Sequence, residues 1–100
     1  MKFEWDITKE RVNIRKRGIT FDQASYVFSD PFALSKYDDG TPRPEEDRWV
    51  LLGNAMNEII PSVAHTFQDE EGVEHVRIIS ARKATKAEQQ FYRQRCQDER

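Results

Sequence analysis

Arg77, Arg82 and Lys83 fall within one short segment near the end of a 100-residue chain. A guanidinium is charged at all working pH values and can bind two oxygens of one phosphate. An ammonium adds a compact point charge beside it. The segment opens as a strand over Val73–Ser80, in which Val76, Ile78 and Ile79 are β-branched and suited to burial. Thr85 followed by Glu88 forms a capping box, so a helix is expected to begin just after Thr85. Ser80, Arg82 and Lys83 would then line a basic corner between two rigid elements, with Arg77 still on the strand. Such a corner can hold cations against a phosphate. Local chemistry alone fits an ordinary turn with solvated charges at least as well, with Ser80 fixing the turn through a local hydrogen bond. His65 is the side chain best able to exchange a proton near neutral pH, although a lone histidine in a strand is more often a packed one. His75, beside an acidic hairpin, reads as structural.

The elements that must position these residues can be read in order. Lys2–Asp6 alternates as a short strand, and Asp6 can cap a helix over Ile7 to Lys16 or Arg17, ended by Gly18. Lys9, Asn13 and Lys16 share one face of that helix, and only Ile7, Val12 and Ile14 in it are apolar. Thr20 and Gln23 make a second capping box, opening a helix whose Phe21, Ala24, Val27 and Phe28 face the core. Pro31 ends it. Strands follow at Phe32–Tyr37, Arg48–Gly53, Ile59–Phe67 and Val73–Ser80, with a long polar loop at Asp38–Asp47, a turn at Asn54–Glu58 and an acidic hairpin at Gln68–Gly72. Pro61 cannot donate to a ladder and predicts an edge or a bulge. The order β-α-α-β-β-β-β-α predicts one α+β domain over residues 1–100, with a mostly antiparallel sheet of four or five strands and helices packed on one face.

Composition narrows the function classes. The net charge is −2, but residues 9–17 carry five basic side chains against Glu10 alone, and residues 77–95 carry six against Glu88 alone. The acids gather between, so a mildly acidic chain can still present a basic face to RNA or to an acidic partner. Cys96 is the sole cysteine, which excludes an internal disulfide and a thiolate cluster. Two scattered histidines do not make a zinc site, and neither a metal nor a cofactor is expected. No apolar run approaches the ~20 residues of a membrane span. Acidic and aromatic residues follow Lys2, unlike a signal peptide. A cytoplasmic protein is the expectation.

The ordered set Phe3-Glu-Trp-Asp6, Asn13-Ile-Arg-Lys-Arg-Gly18 with Phe21 and Ala24, Val27-Phe-Ser-Asp-Pro31, Gly53, His65-Thr66 and Arg77-Ile-Ile-Ser-Ala-Arg-Lys-Ala84 resembles the BrnT toxins of type II toxin–antitoxin systems. The likeness runs from residue 3 to about residue 92. It departs from the usual pattern at Ile7, where proline is common, at Arg17, where histidine is common, and at Pro61, in a segment that is usually a plain aliphatic strand. The resemblance implies a RelE-like fold and a ribonuclease that arrests translation by cutting RNA. It also implies a BrnA-like antitoxin with a ribbon-helix-helix region, through which the pair binds operator DNA and represses its own operon.

On that resemblance, Arg77 and Arg82 hold the scissile phosphate and stabilise its transition-state charge, Lys83 assists or binds a flanking phosphate, and His65 is the candidate proton carrier. Glu4 could act as a base if the first strand lies beside the last. Tyr92 could stack on a base or cover the core. The competing reading is a non-catalytic module whose basic face grips nucleic acid or an acidic partner without cutting.

Overall fold

Each helix begins where its capping signal predicts. Asp6 accepts from the backbone N–H groups of Thr8 and Lys9, and helix α1 runs Ile7–Arg17. Gly18 closes it at φ +70, a left-handed conformation open to glycine at little cost. The Thr20/Gln23 box opens α2 at Phe21–Ser25, which tightens into a 3-10 turn at Tyr26–Ser29. The Thr85/Glu88 box is formed at the start of α3, Lys86–Asp98. The computed structural model describes residues 1–38, 47–56 and 59–98; residues 39–46 of the expected polar loop, and 57 and 58 of the expected turn, lie outside them.

The strands are β1 Lys2–Glu4, β2 Leu34–Tyr37, β3 Arg48–Leu52, β4 Pro61–Glu70 and β5 Val73–Lys83, in the spatial order β1-β5-β4-β3-β2. All pairings are antiparallel except β1 with β5, so the α+β expectation holds with a mixed sheet. The β4–β5 hairpin turns through Glu71 and Gly72, both at positive φ, the pattern of a two-residue type I′ turn that suits the sheet's twist. This tight turn lets both strands run longer than their apolar patterns suggest. Pro61 is on a central strand, not an edge. As the first residue of β4 it sits where a missing N–H is tolerated. The irregularity in the sheet lies elsewhere: Ala64 pairs with Ser80 and His65 with Ile78, leaving Ile79 as the extra residue of a β-bulge.

Helices cover both faces, which corrects the one-face expectation. On one face Phe21, Ala24 and Val27 pack on Val63, Val76, Ile78 and Ala81. On the other, Tyr92 of α3 packs with Leu52, Ile60, Ala84, Phe32 and Leu34. Asp30 ties the two layers together. Its carboxylate accepts from the N–H groups of Phe32 and Asn54 and from the Tyr92 hydroxyl. Burial, then the bond to Asp30, pushes the Tyr92 phenol far above its usual range and keeps it a donor. Gly53 makes room for this hub, because a Cβ there would lie 2.9 Å from Asp30 Oδ2 and 2.9 Å from Val27 Cγ1.

Helix α1 is attached by polar groups. Ile7, Val12 and Ile14 are all exposed, and the helix's buried residue is Asn13, 7% accessible. The Asn13 amide donates to the Ile19 carbonyl at 2.9 Å and accepts from the Ala81 N–H at 3.1 Å. Glu10 accepts from the Phe21 N–H at 2.9 Å. β1 pairs with residues 75–77 of β5, and beyond that pairing Asn13 bonds the outer edge of β5 at Ala81.

Candidate functional site

Side chains alternate across a strand, and the cross-strand registers therefore sort the candidate residues by face. Val63, Ala81, Val76 and Ile78 point into the core under α2. Their neighbours point the opposite way, in three rows. Glu4, Arg77, Thr66 and Arg48 form the first; Ser80, Ala64, Val50 and Lys36 the second; Arg82, Ser62, Leu52 and Leu34 the third. Arg77 and Arg82 thus share a face. From Thr66 to Ser62 along β4 is four residues, or about 13 Å at ~3.3 Å per residue, so the two arginines start two rows apart. That separation suits different phosphates better than one.

Arg82 is anchored. Its Nη1 and Nη2 donate to Glu88 Oε1 at 2.8 Å and Oε2 at 3.1 Å, and Nη1 also reaches the Lys83 carbonyl at 3.2 Å. These are three hydrogen bonds on a group with five N–H donors, so donors remain for a ligand. The pair lowers the Glu88 carboxyl to about 2, chiefly through the bond from Arg82, and raises the Arg82 guanidinium through the same bond. Both side chains stay partly open to water.

Beside Arg82 lies a small hollow of about 150 Å³ in the exposed sheet face. Ser62, Ser80, Val50 and Ala64 form its floor, and Asn13 and Arg17 of α1 form one wall. Among the described residues no carboxylate lines it. Two hydroxyls and two guanidinium-bearing side chains from separate elements therefore meet at one polar depression. Ser80 sits on β5 beside the bulge and contributes to this surface, where a turn-fixing role was expected.

The structure does not bring His65 to this place. His65 pairs across the strands with Ile78 and Trp49, stacks edge-on against Phe28 with centroids 4.7 Å apart, and sets Nδ1 3.2 Å from the Val63 carbonyl. It is buried, and desolvation lowers its pKa, so it is neutral at pH 7. The sheet itself stands between His65 and the arginines. Lys83 also departs from expectation. β5 continues through it, and by alternation its side chain leaves on the opposite side from Arg82. The expected basic corner is therefore the end of a long strand.

Other placements were less legible. The histidine on the arginine face is His75, one row beyond Arg77 and paired in register with Lys2 and Gln68; its Nε2 lies 3.9 Å from Glu70. β1 does lie beside β5, and Glu4 is the register partner of Arg77. Tyr92 is 5% accessible and bonded to Asp30, so it belongs to the core. Arg17 lines the hollow although its sequence signal is only its place in a basic helix end, next to Gly18. Among the described residues no group of three or more His, Cys, Asp or Glu side chains is arranged to hold a metal ion, and no helix is long and apolar enough to cross a membrane.

In a comparison with protein families the chain matches the model described as ribonuclease toxin, BrnT, of type II toxin–antitoxin system, over residues 5–88. Comparison with curated individual proteins gives no match.

Proposed function

The chain belongs to the BrnT ribonuclease toxins of type II toxin–antitoxin systems, and from that premise we propose that it is a metal-independent endoribonuclease working on the arginine face of its sheet. The observation that carries the reading is Arg82, aligned by Glu88 beside Ser62 and Ser80 in an open hollow that no carboxylate among the described residues lines. Cleavage by the RNA's own 2′-hydroxyl moves that proton to a base. The 2′-oxygen then bonds to phosphorus and the 5′-oxygen leaves with a proton, giving a cyclic phosphate. Charge grows on the non-bridging oxygens, and a preorganised guanidinium lowers the barrier by stabilising it. Arg82 supplies that charge. Arg77, two rows along the same face, holds a neighbouring phosphate. Lys83 and His65, directed away from the hollow, stay outside the reacting group in this reading.

The cationic chemistry needs no metal for charge neutralisation, which supports a reaction that persists in chelator. The toxin class supports neutralisation by an antitoxin, here a BrnA-like ribbon-helix-helix protein, with operator DNA bound through that partner to repress the operon. RNA in the cytoplasm is the target, and translation the process arrested.

Controlled expression with and without the antitoxin tests this, paired with cleavage of RNA by purified protein in EDTA. Wild type should arrest growth and cut RNA. Arg82→Ala should cut about 10²–10³-fold more slowly, the usual loss for one transition-state donor, and Arg77→Ala about tenfold. Intact RNA after incubation with folded wild type, or a double variant as active as wild type, would sink the reading and leave a binding module.

A further inference from the structure

A second groove, of about 330 Å³, runs along the outer edge of β5 between the bulge and α1. Arg17, Asn13 and Ser80 line both this groove and the hollow beside Arg82, so the two are continuous around the strand edge. The new groove adds Lys9 and Lys16 and, among the described residues, no acidic side chain. Among the described residues Lys9, Lys16 and Arg17 make no ion pair or side-chain hydrogen bond, whereas Arg82 is already engaged by Glu88.

Helix electrostatics accounts for only part of this pattern. Lys16 and Arg17 sit in the last turn of α1, where cations oppose the negative end of the helix dipole. Lys9 sits in the first turn, at the positive end, where a cation is disfavoured. Its side chain lines the groove. Asn13, bonded to the Ala81 N–H, fixes which face of α1 turns toward β5. Lys9 and Lys16, four residues before and three after Asn13, are carried on that face. They span about 10 Å along the axis at ~1.5 Å per residue, a row of charge rather than a point.

We infer that the α1–β5 groove is a phosphate-binding track for single-stranded RNA, with Lys9 and Lys16 holding backbone phosphates beyond the hollow and Arg17 at the junction. This rests on the ribonuclease reading and gives the strand its path, across the β5 edge at the bulge.

The test uses the whole protein and a short fluorescent 2′-O-methyl oligouridine, which cannot be cut through its 2′-oxygen, titrated over a range of salt. Each phosphate contact on a single strand contributes ~0.7 to the slope of log K against log salt. Lys9→Ala with Lys16→Ala should make the slope shallower by about 1.4, and Arg17→Ala by about 0.7. Lys9→Arg with Lys16→Arg should restore the wild-type slope. The two lysines are exposed and alanine favours helix, so the double variant should fold. An unchanged slope while wild type still cuts ordinary RNA overturns the track but leaves the ribonuclease reading standing. A wild type that neither binds nor cuts overturns both. If the double alanine variant loses affinity for the antitoxin and not for RNA, the groove is a protein interface and the inference fails.

Discussion

The carboxylate of Glu88 grips Arg82 through two bonds, 2.8 and 3.1 Å, while its Oε1 also accepts the Thr85 N–H at 2.8 Å. One side chain thereby starts α3 and aims the guanidinium beside the hollow. Glu88→Gln keeps the capping acceptor and removes the charge. Cleavage should fall about tenfold, corresponding to ~1.4 kcal/mol of barrier, as Arg82 loses its fixed aim. The acid stability profile should change as well. The folded carboxyl, at about 2, lies below its ordinary value of 4.5. The stability it contributes is therefore full above about pH 4.5 and is lost as pH falls through about 2. Because the pair is partly solvated, the difference between wild type and variant should be no more than about 1 kcal/mol at pH 6, and should vanish below about pH 2. Denaturant midpoints across that range measure it.

His65 should titrate against the fold and not with catalysis. Burial holds its folded pKa below 6.5, so the unfolded chain takes up a proton that the folded one refuses. Wild-type stability should therefore decline as pH drops below about 6.5, and this component should disappear in His65→Ala. That variant should also lose about 1–3 kcal/mol at pH 8, from the vacated site beside Phe28, yet cut RNA normally per folded molecule. Lost cleavage in folded His65→Ala would return the imidazole to the chemistry.

Asn13→Ala should be among the most damaging changes in α1, although the residue lies in a charged, largely exposed helix. It leaves the Ile19 carbonyl and the Ala81 N–H unpaired in a buried setting, each worth about 1–3 kcal/mol when orphaned. A loss of roughly 3 kcal/mol corresponds to a Tm lower by about 12–24 °C for a domain of this size. Asn13→Asp, which keeps the acceptor for Ala81, should recover part of it. A variant melting within a few degrees of wild type would mean that α1 is held by other contacts.

What the sequence disclosed was what local chemistry determines. Thr20 with Gln23, Thr85 with Glu88, and Asp6 with Gly18 are signals read over three to twelve residues, and each marks a real helix boundary. The run Val76–Ile79 gave a strand, but not its end. β5 reaches Lys83 because β4 begins at Pro61 directly opposite, a long-range fact. The bulge at Ile79 and the pairing of His65 with Ile78 decide which face each candidate takes. Neither could be read from residue types. Likewise Asn13 read as one polar member of a basic helix face, whereas its partners stand 6 and 68 residues away.

The pairing of Phe3 with Val76, and of Asn13 with Ala81, joins the beginning of the chain to its final quarter. Synthesis proceeds from the N-terminus, so the strand edge and the α1 groove cannot close until residues beyond 81 have left the ribosome. A nascent chain therefore lacks both the completed strand edge and the α1 groove until Ala81 has emerged.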